Sequence, residues 1–420
     1  MISRYGWYLR EVLKQVWVRV VGMALFALLA AIFARFLSPF LPQWIVLQTG
    51  SAAVSELLRI LTSSMLAVTT FSLSIAVQAF AAASGSATPR ATVLLQEDRT
   101  TQNVLATFLG AFLFGLVGLI SLRAELYDAS GKVVVFLFTI VVIGLVLVAL
   151  IGWIGHLMRF GRMEDTLARV ERAASDALNQ RFENPFLGGQ PVQAMIPSDK
   201  QMITAEEAGY IQHIDMQALQ DCAADMAATV FLRQLPGGFV APGTLLALID
   251  TAELSDTQIA DLRKGFTIGA ARSFNEDPRF GLIVMSEIAS RALSPAVNDP
   301  GTAIDIIGRH VRMLGRWRMR KDAQVQFDRV HVPPILLRDA IEDAFRPVAR
   351  DGAALVEVQI RLQKALATLC MIDPELFGPD CKAMSHEAIE RAAAAGLLPG
   401  EMEAIRKAAP DVLADDAQGG

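Results

Sequence analysis

A chain of 420 residues that is 53% hydrophobic, with 38 basic against 43 acidic side chains, is too apolar for an ordinary soluble enzyme. Its net charge of −5 comes without the concentrated basic face that a nucleic-acid backbone requires. The three cysteines, Cys222, Cys370 and Cys381, have neither CxxC spacing nor paired histidines nearby, which argues against zinc and against a disulfide framework.

The apolar excess sits in the first 160 residues, and the remainder is of soluble composition. Residues 17–37 form a run close to the ~20 residues that cross a bilayer, introduced by Arg4, Arg10 and Lys14. It leads into LSPFLPQW rather than a small-x-small cleavage site, so it reads as an uncleaved first span. Residues 57–83, 104–122 and 133–158 supply three more. Lys and Arg are denser in the N-terminal segment, the second loop (Arg90, Arg99) and the exit from span four (Arg159, Arg162) than on the other side. That asymmetry predicts both termini on the cytoplasmic side.

Span two, LLRILTSSMLAVTTFSLSIAVQAFAAA, carries no charge between Arg59 and Arg90 yet is rich in hydroxyls. At about 100° per residue, Ser63, Ala67, Thr70, Ser74, Gln78 and Ala81 share one narrow helical face, while Leu66, Leu73, Val77 and Phe80 point elsewhere. Two readings compete. Ser and Thr bond back to carbonyls of their own helix and add on the order of 1 kcal/mol across a helix pair, so packing alone accounts for the stripe. Gln78, in contrast, needs hydrogen bonds that hydrocarbon does not supply, which favours a wet surface. Four spans rarely enclose a conduit, so a pore requires a homo-oligomer with Ser63, Thr70, Ser74 and Gln78 facing its axis. The absence of charge argues against a proton relay.

After span two, Gly85 and Pro89 break the helix, and the mixed charges of residues 96–102 restart it, giving a short cytoplasmic helical hairpin. In span three, Ala106 with Gly110 and Ala111 with Gly115 have the small-xxx-small spacing of closely packed helices, and Gly144, Gly152 and Gly155 do the same in span four. His156 beside Trp153 reads as an interfacial anchor.

Met163, Leu167, Val170 and Ala174 mark an amphipathic helix that extends span four, followed by a Pro/Gly-rich linker over residues 184–197. GYIQHID, TVFLRQL and FVAPGTLLALID alternate like strands around turn glycines, and the last resembles half of a biotinyl/lipoyl-type barrel without a lysine to carry a prosthetic group. Asp277-Pro278 and Asp299-Pro300 each place an acceptor before a proline at a helix start, predicting helices over 279–293 and 301–314. Arg272, Asn298 and Asp299 could hold a small ligand, although capping accounts for Asn298 and Asp299 without one. Two further helices, broken near Pro347 and Gly352, lead to a terminal helical hairpin and a disordered DDAQGG end. No Ser/His/Asp order, Walker or GxGxxG loop, HExxH or isolated carboxylate pair is present, so no catalytic, cofactor-binding or metal residue is assigned and an enzyme is not expected.

SATPRATVLLQEDRTTQNVLATFLGAF after the hydroxyl-rich span, and GAARSFNEDPRFGL followed by SEIASRALSPAVNDPGTA, resemble a family of bacterial inner-membrane proteins classed as a domain of unknown function. The resemblance reaches to about Leu369. Its hallmarks fall on Pro89, Arg90, Asp98 and Gln102, and on Asp277, Phe280, Gly281, Ala292, Leu293, Ser294, Pro295, Asn298, Asp299 and Pro300. It implies a topology and no reaction.

The sequence therefore predicts a mainly α membrane protein, with four transmembrane helices over residues 1–160 and a cytoplasmic α+β domain. That domain comprises a helical extension and linker (161–200), a small β-rich unit (201–260), a helical region (261–372) and a C-terminal hairpin with its tail (373–420). The expected function is an oligomeric, channel-like assembly with a regulatory cytoplasmic domain. The alternative is a membrane-anchored sensor or scaffold that binds a partner or small ligand, with Arg90, Asp98, Arg272, Asn298 and Asp299 as ligand or coupling residues. The lipid bilayer and further copies of the chain are the expected partners, besides an unidentified soluble one, and nucleic acid is not.

Overall fold

The computed structural model describes residues 51–96, 98–127, 129–192, 200–322 and 324–410, together with Val18, Val21, Gly22 and Leu25. The rest of the expected first span, residues 193–199 of the expected linker and the expected disordered end lie outside the described residues. The described residues divide into two compact units, one ending at Thr166 and a second that begins at Leu167.

In the first unit, α1 (Ser51–Ser86), α3 (Arg99–Arg123) and α4 (Ala129–Leu157) are each long and apolar enough to cross a membrane, and α2 (Pro89–Gln96) is a short helix between the first two. Val54, Leu58, Leu61 and Met65 of α1 pack on Val104, Phe108, Ala111 and Phe114 of α3, joined by Val134, Val135, Val146 and Trp153 of α4. Small residues set the approach. A Cβ on Gly115 would fall 2.4 Å from Thr62 Oγ1, and one on Gly118 3.2 Å from Leu58 Cδ1, so the Ala111/Gly115 motif does bring α3 against α1. Among the described residues the glycines expected to act likewise in span four meet no neighbour: Gly144, Gly152 and Gly155 are exposed, with nothing within 4 Å of an added Cβ. Leu137, Val141, Leu147, Val148 and Ile151 coat the outside of α4, as a lipid-facing surface demands.

The expected continuation of span four is also corrected. The chain turns at 158–161, where Gly161 takes φ +78 against the Cβ of Ala79, a conformation and a contact that a larger residue would not tolerate. A separate helix, α5 (Met163–Glu183), follows.

The second unit begins with the buried stripe of α5, which includes Leu167, Val170, Ala174, Ala177 and Leu178. Among the described residues eight strands follow: β1 (Gly189–Pro191), β2 (Gln201–Thr204), β3 (Gly209–Ile214), β4 (Val230–Leu232), β5 (Phe239–Val240), β6 (Leu245–Ile249), β7 (Phe266–Gly269) and β8 (Phe327–Val332). They form a five-stranded sheet of order β1-β8-β4-β6-β2 and a three-stranded sheet of order β5-β3-β7. β8 pairs in parallel with both β1 and β4, while the β4/β6 and β2/β6 pairs are antiparallel. α6 (Met216–Asp225) lies on β8.

Three expectations fail here. Part of the expected linker, Gly189–Pro191, is a sheet strand, and β8 arrives from residue 327, so the β-unit is not confined to 201–260. β5 and β6 flank one turn but enter different sheets, which is incompatible with a half-barrel hairpin.

α7 (Asp256–Lys264) carries a Ser255/Gln258 capping box. Beyond it stand α8 (Phe280–Ala292), α9 (Pro300–Leu314), a 3₁₀ turn (Gly315–Met319), α10 (Leu337–Asp351), α11 (Val356–Ile372), α12 (Pro374–Ala394) and α13 (Pro399–Lys407). α8 reads GLIVMSEIASRA because it is enclosed, packing on both α9 and α10 with Leu282, Val284, Met285, Ile288 and Ala289 at zero exposure. Pro347 lies within α10 rather than breaking it, and the chain breaks at Gly352 alone.

Candidate functional site

On α1, the six residues of the expected polar face (Ser63, Ala67, Thr70, Ser74, Gln78 and Ala81) are all exposed. The buried stripe consists of Val54, Leu58, Leu61, Met65, Ser72, Ala76 and Ala83. At about 100° per residue the two stripes lie on opposite sides of the helix, so the polar face points away from the side that packs on α3. Leu66, Leu73 and Val77 flank it on one side and Phe71 on the other, each about half exposed or more. Its hydroxyls are partly self-satisfied. Ser63 Oγ donates to Ile60 O at 3.2 Å, and Thr70 Oγ1 lies 2.9 Å from Ala67 O and 3.1 Å from Leu66 O. Gln78 Nε2 donates to Ser74 Oγ at 3.3 Å, which uses a fraction of what a carboxamide can form.

The hairpin after α1 is tied to the end of α4. Asp98 caps α3 by accepting from Thr101 N and Thr101 Oγ1, both at 2.7 Å. The same carboxylate oxygen lies 3.0 Å from His156 Nε2. Asp98 is 7% exposed and Gln102 only 2%. His156 stacks on Trp153 at 5.5 Å and meets Phe160 at 4.9 Å, while Phe160 stands edge-on to Phe80 of α1. His156 is therefore more than an interfacial anchor: it joins the start of α3 to the end of α4, a pairing of residues 58 apart that no local spacing signals. Arg90 is exposed on α2.

In the second unit the expected ligand residues do not converge. Arg272 Nε donates to buried Asp277 Oδ2 at 2.6 Å, with its guanidinium over the Phe280 ring at the N-terminal end of α8. Asp277 Oδ1 also accepts from Arg279 N and Phe280 N, so it serves the helix start from outside the N-cap position, which Arg279 occupies. Asn298 and Asp299 stand at the other end of α8, where Asp299 N donates to Ala292 O. A 13-residue helix, about 20 Å at 1.5 Å per residue, separates the two groups. Asn298 has φ +50, a region asparagine tolerates, and Asp299 is the N-cap of α9, accepting from Thr302 N at 3.1 Å and Thr302 Oγ1 at 2.6 Å. Those bonds from Thr302 hold its carboxyl below the usual aspartate range. Asp299→Ala should therefore lower the stability of the protein by ~1 kcal/mol through the lost cap, read as a denaturation midpoint. A large functional loss at unchanged stability would instead mark a ligand site.

Arg279 bridges α8 to α10 through Asp339 and Asp343, both at 2.6 Å, and Ser286 Oγ contacts Asp343 O and Ala344 O. These are joints between helices, and nothing in the local sequence announces them. Among the described residues no group of three or more His, Cys, Asp or Glu side chains could hold a metal.

Three long apolar helices joined to a sheet-containing, otherwise helical unit define an integral membrane protein. The chain belongs to the family described as "Predicted membrane protein (DUF2254)", whose model matches residues 14–368. It is 32% identical over 167 residues to an uncharacterized protein of Mycobacterium tuberculosis (strain H37Rv) and to one of Mycobacterium bovis, covering 38% of this chain and 32% of each relative. The match thus spans about a third of the length of these relatives. No solved structure matches the chain.

Proposed function

We propose that this protein is a four-span bacterial inner-membrane protein with both termini cytoplasmic. It assembles from several copies with the polar face of α1 around a channel-like path, and residues 167–420 assemble or regulate that path without catalysing a reaction. The observation that carries this reading is the direction of the Ser63, Thr70, Ser74 and Gln78 face, opposite the stripe that packs on α3. Helix packing against α3 and α4 would bury such a face; here it is turned outward. A carboxamide with unused donors and acceptors facing lipid is unfavourable, whereas water between copies would satisfy it. The Asp98–His156 link supports a coupling role for the hairpin, because it fixes the start of α3 to the end of α4.

Cysteine accessibility tests the proposal in native membranes, in a background lacking Cys222, Cys370 and Cys381. Ser74→Cys and Gln78→Cys should react with a charged, water-soluble thiol reagent and form disulfide-linked dimers on mild oxidation. Ala76→Cys, on the packed stripe, should do neither. If neither variant reacts or crosslinks, the polar face is dry and faces no second copy, and the proposal fails.

A further inference from the structure

Arg181, in the last turn of α5, is 6% exposed, and both terminal nitrogens of its guanidinium lack a hydrogen-bond partner. It lines a cavity of about 10 Å³ together with Phe182, Pro278, Trp317 and Arg320. That is room for a single water-sized atom. Arg320 lies with its guanidinium over the Phe186 ring, 5.1 Å from the centroid. Among the described residues neither arginine has an ion-pairing carboxylate. Glu276 and Asp277 act on Arg181 through space, yet both are engaged elsewhere: Glu276 with His213 Nδ1 at 2.6 Å, and Asp277 with Arg272 and the start of α8. Burial, with Arg320 opposing as well, pulls Arg181 down to about 10, so it stays charged at neutral pH.

Two guanidinium groups facing one small cavity is an unfavourable arrangement unless an anion joins them. A wider cleft of about 580 Å³ shares Trp317 and Arg320 with the cavity, and adds Phe186, Arg318 and Lys321 on one hand and Asp322, Asp373 and Glu375 on the other. The backbone braces the site, since Lys321 N donates to Phe182 O at 2.9 Å and so fastens the segment after the 3₁₀ turn to the end of α5.

We propose that Arg181 and Arg320 form a binding site for a small, soluble phosphate ester, one phosphate oxygen entering the cavity at Arg181 and the remainder lying in the cleft beside Trp317. Phosphate suits the donors, because forked guanidinium groups from two directions can share its oxygens, while Arg318 and Lys321 add positive charge where further oxygens would lie. The carboxylates of the cleft are suited to hydroxyl or amino groups on the esterified part. The proposal goes beyond the channel-like reading and does not depend on it.

The test uses the full chain in detergent, with inorganic phosphate as the probe and sodium chloride at matched ionic strength as the control. Phosphate should raise the melting temperature of the unaltered protein more than chloride does. Arg320→Gln, at the half-buried edge of the site, should keep its fold and need at least tenfold more phosphate for the same shift. Arg181→Met should abolish the response and, having removed an unpartnered buried charge, should melt higher than the unaltered protein in phosphate-free buffer. A phosphate effect no larger than that of chloride, or an unaltered response in Arg320→Gln, would overturn the proposal.

Discussion

Gly281→Val will leave little or no folded protein. A Cβ at Gly281 falls 2.2 Å from Ala174 Cβ and 2.8 Å from its Cα, so α8 and α5 meet at this point with no room for a side chain. The obstacle is backbone and a methyl group, which cannot rotate aside, and the neighbouring α8 residues Phe280 and Leu282 are buried. Overpacking of a core ordinarily costs about 1–3 kcal/mol, and more where helices must separate. Against a total stability of about 5–15 kcal/mol, a loss above ~3 kcal/mol shows as aggregation or a collapse of the melting temperature. Gly281→Ala should be intermediate, and Ala174→Gly should recover part of its loss, since the two positions share one contact. Unchanged melting of Gly281→Val would show that the helices do not approach so closely.

Acid should destabilise the second unit through His310. Its ring is wholly buried on α9, with Phe345 edge-on at 5.6 Å, and burial pulls its pKa from 6.5 to about 4 despite the nearby carboxylate of Glu171. Between pH 6.5 and 4 the unfolded chain binds a proton that the folded chain refuses, so stability rises with pH across that window and is lost as pH falls through it. A shift of this size corresponds to roughly 3 kcal/mol. Urea titrations at pH 7 and pH 4.5 should show the loss, and His310→Gln should remove most of the slope even if the variant is less stable at pH 7. An identical slope in that variant would place the acid sensitivity elsewhere.

The features legible in the sequence were those written in local periods. The polar stripe of α1 follows from spacing alone, as do the close approach at Gly115 and the Asp299-Pro300 helix start. What escaped depends on distant pairing. Gly189–Pro191 offers no strand signal, and it becomes one because β8, some 140 residues on, lies beside it. Pro347 reads as a breaker, yet α10 packs on both α8 and α12 and buries Val348 and Ala349, so tertiary packing keeps the helix continuous. Arg181 looks like any basic residue in a last helical turn; its burial is imposed by Trp317 and Pro278 from far along the chain. Arg272, Asn298 and Asp299 lie within 28 positions of one another, and a helix then holds them apart.

If the outward face of α1 lines a water-filled path between copies, current recorded across bilayers containing the purified protein will report it. Discrete conductance is expected under voltage, tension or pH change, with Gln78→Leu altering that conductance while leaving the protein folded. Silence under all three stimuli, or a conductance that Gln78→Leu leaves untouched, would contradict it.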